Sequence, residues 1–208
     1  MTSPAVVGLD AAGSPEAWRA AGFAVDDGIV RIGRVRVRIG AEGRGITAWT
    51  LTGVPTMTTS VDGLPTCVVG PVPAAEDVAH PNRATLVDHL VVWSPHSDRT
   101  VHALTAIGFD VKRVREDARP GLRQTFFRAG QVVVELVASA DPSASEDTPA
   151  RFFGIACTVA DLDACARELG DVLGPISDAV QPGRRIATLR GRGLGLDVAV
   201  AFMSEQEQ

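Results

Sequence analysis

The stretch DHLVVWSPHSDRTVHAL (residues 88–104) is echoed 65 residues later by FGIACTVADLDACAREL (residues 153–169), and the two align without a gap. Each begins with a run of apolar and β-branched residues, which is typical of a strand. Each continues through an aspartate, Asp98 or Asp161, that is expected to cap a helix. A strand–helix pair that recurs in this way indicates that one supersecondary unit is used more than once.

Further strands follow each of these pairs. After the first, strands are predicted at 109–114, 124–128 and 132–137, with a tight turn at Ala129-Gly130 between the last two. After the second, the predicted strands are 186–190 and 198–203. The sequence therefore predicts two βαβββ modules, at residues 86–137 and 151–203, with two of the three closing strands located in the second.

The N-terminal part of the chain is a shortened copy of the same unit. A strand at 6–9 precedes a short helix that opens at Ser14-Pro15, and a further strand is predicted at 46–51. Between them, VRIGRVRVRIG (30–40) aligns with FRAGQVVVELV (127–137). This copy is predicted to be a degenerate half-module.

Turn-forming residues divide the chain into units. The predicted organisation is a degenerate half-module at 1–52, a Pro-rich linker at 53–85 and a two-module domain at 86–203. A second linker is expected at 138–150, which is small, polar and acidic.

Composition excludes several classes of protein. With 208 residues, 45% of them hydrophobic and 22% charged, the chain is long and apolar enough to bury a core. Its net charge of −5 does not suit a nucleic-acid binder. No apolar run reaches the ~18 residues of a membrane span, and the N-terminus lacks the pattern of a signal peptide. Three unpatterned cysteines are typical of reduced thiols, so a cytoplasmic protein is expected.

The tandem βαβββ unit resembles the vicinal oxygen chelate superfamily, also called the glyoxalase/bleomycin-resistance/extradiol-dioxygenase superfamily. Asp88-His89-Leu90-Val91-Val92 and Val132-Val133-Val134-Glu135-Leu136 carry the resemblance. The stretches at 98–100, 123–128 and 181–189 look like a bacterial branch of glyoxalase-like proteins. The resemblance implies an α+β fold in which paired modules curl their sheet around a cleft. It does not imply one activity, because the superfamily includes lyases, isomerases, dioxygenases, transferases and drug-sequestering proteins.

In that superfamily, metal ligands come from the first and fourth strands of each module. His89 and Glu135 hold these two positions in the first module. Because side chains alternate along a strand, His89 and Glu135 are each expected on the face opposite to the one that packs against the helix. In the second module the position of His89 is Gly154, and Ala199 or Ala201 stands where a carboxylate is expected. Two of the four implied protein ligands are therefore present.

Two interpretations of this cleft stay open. His89 and Glu135, completed by water, substrate or a partner chain, can hold a divalent ion such as Zn, Mn, Ni or Fe. Alternatively, the cleft binds its ligand without a metal. In either case a His–Glu pair can perform acid–base chemistry, with His89 carrying the proton and Glu135 orienting it or acting as base. An extradiol dioxygenase is disfavoured, because its iron needs two histidines and a carboxylate and the second histidine position is Gly154.

Four further residues are expected to bind substrate: Gln124, Arg123, Trp93 and Arg185. The favoured function is a lyase, isomerase or epimerase, acting on a small carbonyl- or carboxylate-bearing metabolite. The alternative is a metal-free protein that binds or sequesters a small molecule. An odd module leaves a sheet edge unpaired, so the expected partner is a second copy of the chain in a homodimer.

Overall fold

The computed structural model describes residues 3–73, 78–116, 122–139 and 144–206. Within these residues the strands fall into two sheets, one of six strands and one of eight. The strands are β1 Ala5–Ala11, β2 Ile29–Ile32, β3 Val35–Ile39, β4 Ile46–Thr52, β5 Ser60–Val61, β6 Leu64–Val68, β7 Ala84–Ser94, β8 Val111–Glu116, β9 Leu122–Ala129, β10 Val132–Ser139, β11 Arg151–Val159, β12 Ser177–Asp178, β13 Arg185–Thr188 and β14 Ala199–Ser204. The helices are α1 Pro15–Ala20, α2 Ser97–Ala106 and α3 Leu162–Leu169, with short 3-10 turns at Gly170–Val172 and Gly191–Leu194.

The eight-stranded sheet has the order β12-β13-β14-β11-β7-β10-β9-β8 and contains both predicted modules. In each module the first strand pairs in parallel with the last: β7 with β10, and β11 with β14. The two modules join through the antiparallel pair β7–β11 at the centre of the sheet. The predicted α+β fold of tandem βαβββ modules is therefore confirmed.

The six-stranded sheet has the order β2-β3-β1-β4-β6-β5 and repeats the same pairing logic. β1 pairs in parallel with β3 and antiparallel with β4, and β4 pairs in parallel with β6. Strands β1–β3 with α1 thus form a shortened module. Strands β4–β6 form a second one that contains no helix among the described residues.

The prediction of a linker over residues 53–85 differs from the structure, because β5 and β6 lie inside that segment. The two strands form a hairpin whose buried residues are Val61 and Leu64. Its turn, Asp62-Gly63, has positive φ angles of 49° and 85°. An Asp-Gly pair supplies such angles readily, and it is a recognised hairpin signal that the surrounding prolines obscured. Residues 74–77 of the predicted linker lie outside the described residues.

The second predicted linker, residues 138–150, is only partly described. Its residues 140–143 lie outside the described ranges, and β10 extends to Ser139. The part that follows is fixed to the first half of the chain. The Ala150 amide donates to the Asp62 carbonyl at 3.0 Å, and the Arg99 guanidinium donates to the carbonyls of Glu146 and Thr148.

The two sheets share one continuous hydrophobic core. Trp49 of β4 stacks on Phe109 at a ring-centroid distance of 5.9 Å, and it also contacts Phe152 of β11 at 5.6 Å. Phe109 in turn packs edge-to-face on Phe127 of β9. Because side chains alternate along a strand, this cluster lies on the face of β9 opposite to Phe126. The six-stranded sheet therefore leaves the Phe126 face of β9 free.

Helix caps agree with the sequence at one of the two predicted positions. The Asp161 carboxylate accepts a hydrogen bond from the Ala164 amide at 2.8 Å and caps α3 as predicted. In α2 the N-cap is His96, which makes no side-chain capping bond. Asp98 lies in the first turn and accepts a hydrogen bond from Arg123 at 3.3 Å. None of the helices in the described part of the chain is long and apolar enough to span a bilayer.

Candidate active site

A cavity of about 430 Å³ lies on the face of the eight-stranded sheet that carries Phe126. Alternate residues of β7, β9 and β10 line it, as strand periodicity requires. The first module contributes His89, Val91, Arg113, Arg115, Gln124, Phe126, Val133 and Glu135. The second module contributes Phe153, Gly154, Ile155, Ala156, Ala179, Val180, Gln181, Ile186, Thr188, Ala199, Val200, Ala201 and Met203.

A β-bulge in β7 positions the histidine of this cavity. His89 pairs with Ala156 and Val87 pairs with Cys157, so Asp88 is an extra residue in the strand. A bulge re-aims side chains, and here the Asp88 carboxylate comes to 2.8 Å from His89 Nδ1. The two side chains are only 14% and 7% exposed. Because a carboxylate accepts, Nδ1 is the donor in this hydrogen bond, and the Nε2 edge of the ring is left to face Gln181.

Arg184 and Gln181 join Asp88 and His89 in a hydrogen-bonded ring of four side chains. Arg184 Nη1 donates to the Asp88 carboxylate at 2.8 Å and to Gln181 Oε1 at 2.7 Å. The Gln181 amide nitrogen lies 3.4 Å from His89 Nε2, which completes the ring. The Thr158 hydroxyl also donates to Asp88, at 3.1 Å. The second module thus supplies the groups that hold the catalytic candidate of the first.

This ring controls the ionisation of Asp88. Burial alone would raise the pKa of the Asp88 carboxyl. Hydrogen bonds and positive charge from His89 and Arg184 outweigh that effect and hold the pKa at about 2. Asp88 is therefore a carboxylate at neutral pH, and it remains available to orient and stabilise a protonated His89.

Glu135 faces the same cavity from the neighbouring strand. His89 pairs with Val133 across β7 and β10, and Glu135 lies two residues further along. Because side chains alternate along a strand, Glu135 lies on the same face as Val133. Gln124 Nε2 donates to Glu135 Oε1 at 2.6 Å, and Gln124 Oε1 has no hydrogen-bond partner among the described residues. His89 and Glu135 are thus held by separate partners while they face one space.

The residues present do not fit the four-ligand metal site that the superfamily implies. Gly154 pairs with Ala199 just as His89 pairs with Val133, so Ala201 occupies the position of Glu135. A Cβ atom on Gly154 would lie 2.2 Å from the Ala199 carbonyl oxygen, which leaves no room for a side chain. Within the described ranges there is no group of three or more His, Cys, Asp or Glu residues that could hold a metal ion.

The four predicted substrate residues lie in different places. Gln124 lines the cavity. Arg123, its neighbour on β9, points to the helix side and pairs with Asp98 at 3.3 Å. The Arg185 guanidinium binds the exposed carboxylate of Asp163 at 2.8 Å. Arg123 and Arg185 are therefore placed outside the cavity, and their positive charges serve helix contacts.

Trp93, the fourth residue, lies on the cavity side of β7 but beyond the cavity lining. The Arg151 guanidinium sits 4.8 Å from the centre of its ring. Sequence reasoning missed several polar residues that line the cavity, among them Arg113, Arg115 and Gln181. The alternation of the two arginines in β8 was a usable signal, and Gln181 opens the stretch 181–189 that resembles glyoxalase-like proteins, but nothing in that stretch assigns it to the cavity.

Paired βαβββ modules around a cavity are the arrangement of a glyoxalase-like fold. The sequence model of the Glyoxalase/Bleomycin resistance protein/Dioxygenase superfamily matches residues 88–187. This segment matches the model of that superfamily, and the resemblance seen in the sequence is confirmed. Among proteins of curated function, none matches the chain in sequence.

A solved structure shows the same fold over almost the whole chain. A triple mutant of 4-hydroxymandelate synthase from Streptomyces coelicolor superposes with a TM-score of 0.67 at 13% identity, covering 98% of this chain and 93% of that chain. Methylmalonyl-CoA epimerase from Mycobacterium tuberculosis gives a TM-score of 0.47 at 18% identity, covering 60% of this chain and 91% of that one. The first likeness extends over both sheets, so the six-stranded sheet belongs to the shared fold.

Proposed function

We propose that the protein is a proton-transfer enzyme, an isomerase, epimerase or lyase, whose substrate is a small carbonyl- or carboxylate-bearing metabolite. The observation that carries this proposal is the Asp88–His89 hydrogen bond of 2.8 Å beside a cavity that Glu135 also lines. A histidine fixed by a carboxylate and a second carboxylate on the same wall are the groups that general acid–base catalysis needs.

In this proposal His89 Nε2 removes a proton from a carbon next to the substrate carbonyl. The bond from Nδ1 to Asp88 fixes the ring orientation and stabilises the imidazolium that forms. Glu135, held by Gln124, is the second acid or base and can return a proton at another position. Gln181 contacts Nε2, so it must turn away before a substrate can reach that nitrogen.

The second candidate is a metal-free protein that binds or sequesters a small molecule. The wall formed by β11 and β14 favours it, because Gly154, Ala199 and Ala201 offer no reactive side chain there. A cavity with one apolar wall binds a ligand without needing to transform it.

Exchange of substrate C–H protons with deuterium from the solvent separates the two candidate functions. The protein is incubated in D₂O with a panel of enolisable carboxylic acids and ketones, and deuterium incorporation is followed by NMR. We expect His89→Gln to slow exchange by about 10²–10⁴-fold, the usual contribution of one acid–base group. His102→Gln is the matched control, since His102 is exposed on α2. A ligand that binds but never exchanges would favour the binding protein.

Metal content tests the remaining alternative. The protein is purified without chelator and its metal content is measured beside that of His89→Ala. We expect no stoichiometric metal in either form, because the second module supplies no ligands at Gly154 and Ala201. A stoichiometric ion that disappears in His89→Ala would instead make His89 a ligand.

We also propose that the protein is a cytoplasmic homodimer. The outer edge of β8 has no pairing strand among the described residues, and its Val111 and Val114 are 41% and 44% exposed. A second copy that covers this edge would bury both side chains. Light scattering during size-exclusion chromatography tests the proposal, and a species of 21.8 kDa at micromolar concentration contradicts it.

A further inference from the structure

The two modules contribute different kinds of side chain to the cavity. Its charged and titratable side chains all belong to the first module: His89, Arg113, Arg115 and Glu135. The lining from the second module is mostly small or apolar, with Gln181 at its edge. A ligand that matches this cavity therefore has one polar end and one apolar side.

Two arginines of β8 form the positive part of the first wall. Arg113 and Arg115 are separated by one residue, so both side chains point to the same face of the strand and into the cavity. Neither forms an ion pair with a carboxylate among the described residues. Guanidinium groups bind carboxylates through paired, charge-assisted hydrogen bonds. This edge of the cavity is suited to a ligand anion.

The opposite wall is open and apolar. Gly154 and Ala201 stand where the first module carries His89 and Glu135, so this wall presents no charged side chain at those two positions. At the cavity mouth, Phe153 is 55% exposed and Val180 is 72% exposed. Large apolar side chains grouped beside a cavity mark a binding surface more often than a plain solvent face. The apolar surface continues from the interior to the mouth.

We propose that the cavity binds an amphipathic carboxylate. The carboxylate is held by Arg113 and Arg115, and an aromatic or branched aliphatic body packs against the wall formed by Ile155, Ala201 and Val180. This inference rests on the proposed function, whose substrate class it narrows. It concerns binding alone, so it can be tested apart from turnover.

Isothermal titration calorimetry provides the test, with a panel of arylalkyl and branched alkyl carboxylates, their amides, and short carboxylates such as lactate. We expect at least one apolar carboxylate to bind about tenfold more tightly than its amide and than lactate. The double variant Arg113→Gln/Arg115→Gln should weaken that carboxylate about tenfold or more. Lys112→Gln is the matched control, since it removes a positive charge from the same strand outside the cavity lining. It should change the affinity less than about twofold.

A second variant tests the apolar wall. Ala201→Asp places a carboxylate opposite the first module and should weaken the same ligand about tenfold through desolvation and repulsion. Thermal melting of each variant shows that it is folded. Equal binding of acid and amide, equal binding to the double arginine variant, or no binding by any panel member up to about 10 mM would overturn the inference.

The two proposals fail separately in these experiments. A carboxylate that binds as expected and shows no deuterium exchange removes the enzymatic proposal and leaves the ligand class in place. If a substrate incorporates deuterium and binds the double arginine variant with unchanged affinity, the proposed ligand class is wrong and the enzymatic proposal stays in place.

Discussion

Arg184→Met is the substitution that most directly tests the ring behind the candidate catalytic histidine. The Arg184 side chain is 7% exposed and donates to Asp88, Gln181, Thr158 and the carbonyl of Ser204 at 2.7–3.0 Å. Methionine keeps most of the aliphatic volume and removes every donor. Asp88 then stays buried with His89 and Thr158 as its remaining partners.

Two considerations set the size of the loss. Removing one partner of a buried ion pair typically costs about 3–5 kcal/mol, and the partners that Asp88 keeps place this case at the lower end. The pKa of Asp88 in the folded protein is about 2, against an ordinary value of 3.8, which corresponds to about 2 kcal/mol at neutral pH that His89 and Arg184 provide together. We therefore expect Arg184→Met to lower the free energy of unfolding by about 2–4 kcal/mol.

The pH dependence gives the prediction a second measurement. The folded pKa of Asp88 is lower than its unfolded value, so its contribution is present above about pH 4 and is lost as the pH falls towards 2. Arg184→Met should lose less stability over this window than the wild-type protein, because much of the contribution has already gone at neutral pH.

Urea denaturation followed by tryptophan fluorescence measures both effects. Arg38→Met is the control: Arg38 binds Asp10 with two hydrogen bonds, of 2.7 and 2.9 Å, but its side chain is 73% exposed. Such a pair is worth less than about 1 kcal/mol. If Arg184→Met cost no more than Arg38→Met and kept the wild-type slope between about pH 4 and 2, the reasoning about the ring would be refuted.

Three further predictions concern single residues. Burial lowers the pKa of His80, so the unfolded chain takes up a proton at a higher pH than the folded protein does. The urea midpoint should therefore fall as the pH drops below about 6.5, and it should fall less in His80→Gln. Gly154→Ala should cost about 2 kcal/mol or more in urea titrations, because its Cβ would meet a carbonyl of β14 at 2.2 Å, whereas Gly193→Ala meets nothing within 4 Å and should be nearly neutral. Burial raises the pKa of the Cys157 thiol, so an alkylating reagent should modify exposed Cys67 in the native protein and leave Cys157 unmodified by mass spectrometry.

The fold could be predicted where local periodicity and the long-range repeat agree. Strand β7 and helix α2 recur as β11 and α3, and each copy has enough apolar positions to show its period. Shorter elements carry too few residues for such a signal. Strand β12 has only two residues, Ser177–Asp178, and exists because it pairs with β13.

The residues of the candidate site could be predicted only where the alternation of side chains along a strand determines whether a residue faces the cavity. Alternation places His89 and Glu135 in the cavity without knowledge of the tertiary structure. The same rule forbids neighbours in one regular strand from sharing a face, and Arg123 and Gln124 obey it: one pairs with Asp98, the other lines the cavity. Asp88 breaks the rule through its bulge, which depends on pairing with β11 and leaves no mark in the sequence.

The loss of ligand positions in the second module is coupled to the backbone. Because the Ala199 carbonyl approaches Gly154 so closely, a histidine at residue 154 would require β11 and β14 to move apart. That movement would disturb the strand pair that also positions Ala201. A single substitution therefore cannot restore the four-ligand arrangement. The charged and titratable side chains of the cavity are confined to the first module, and the second module contributes the rest of its lining and, through Arg184 and Gln181, contacts to Asp88 and His89.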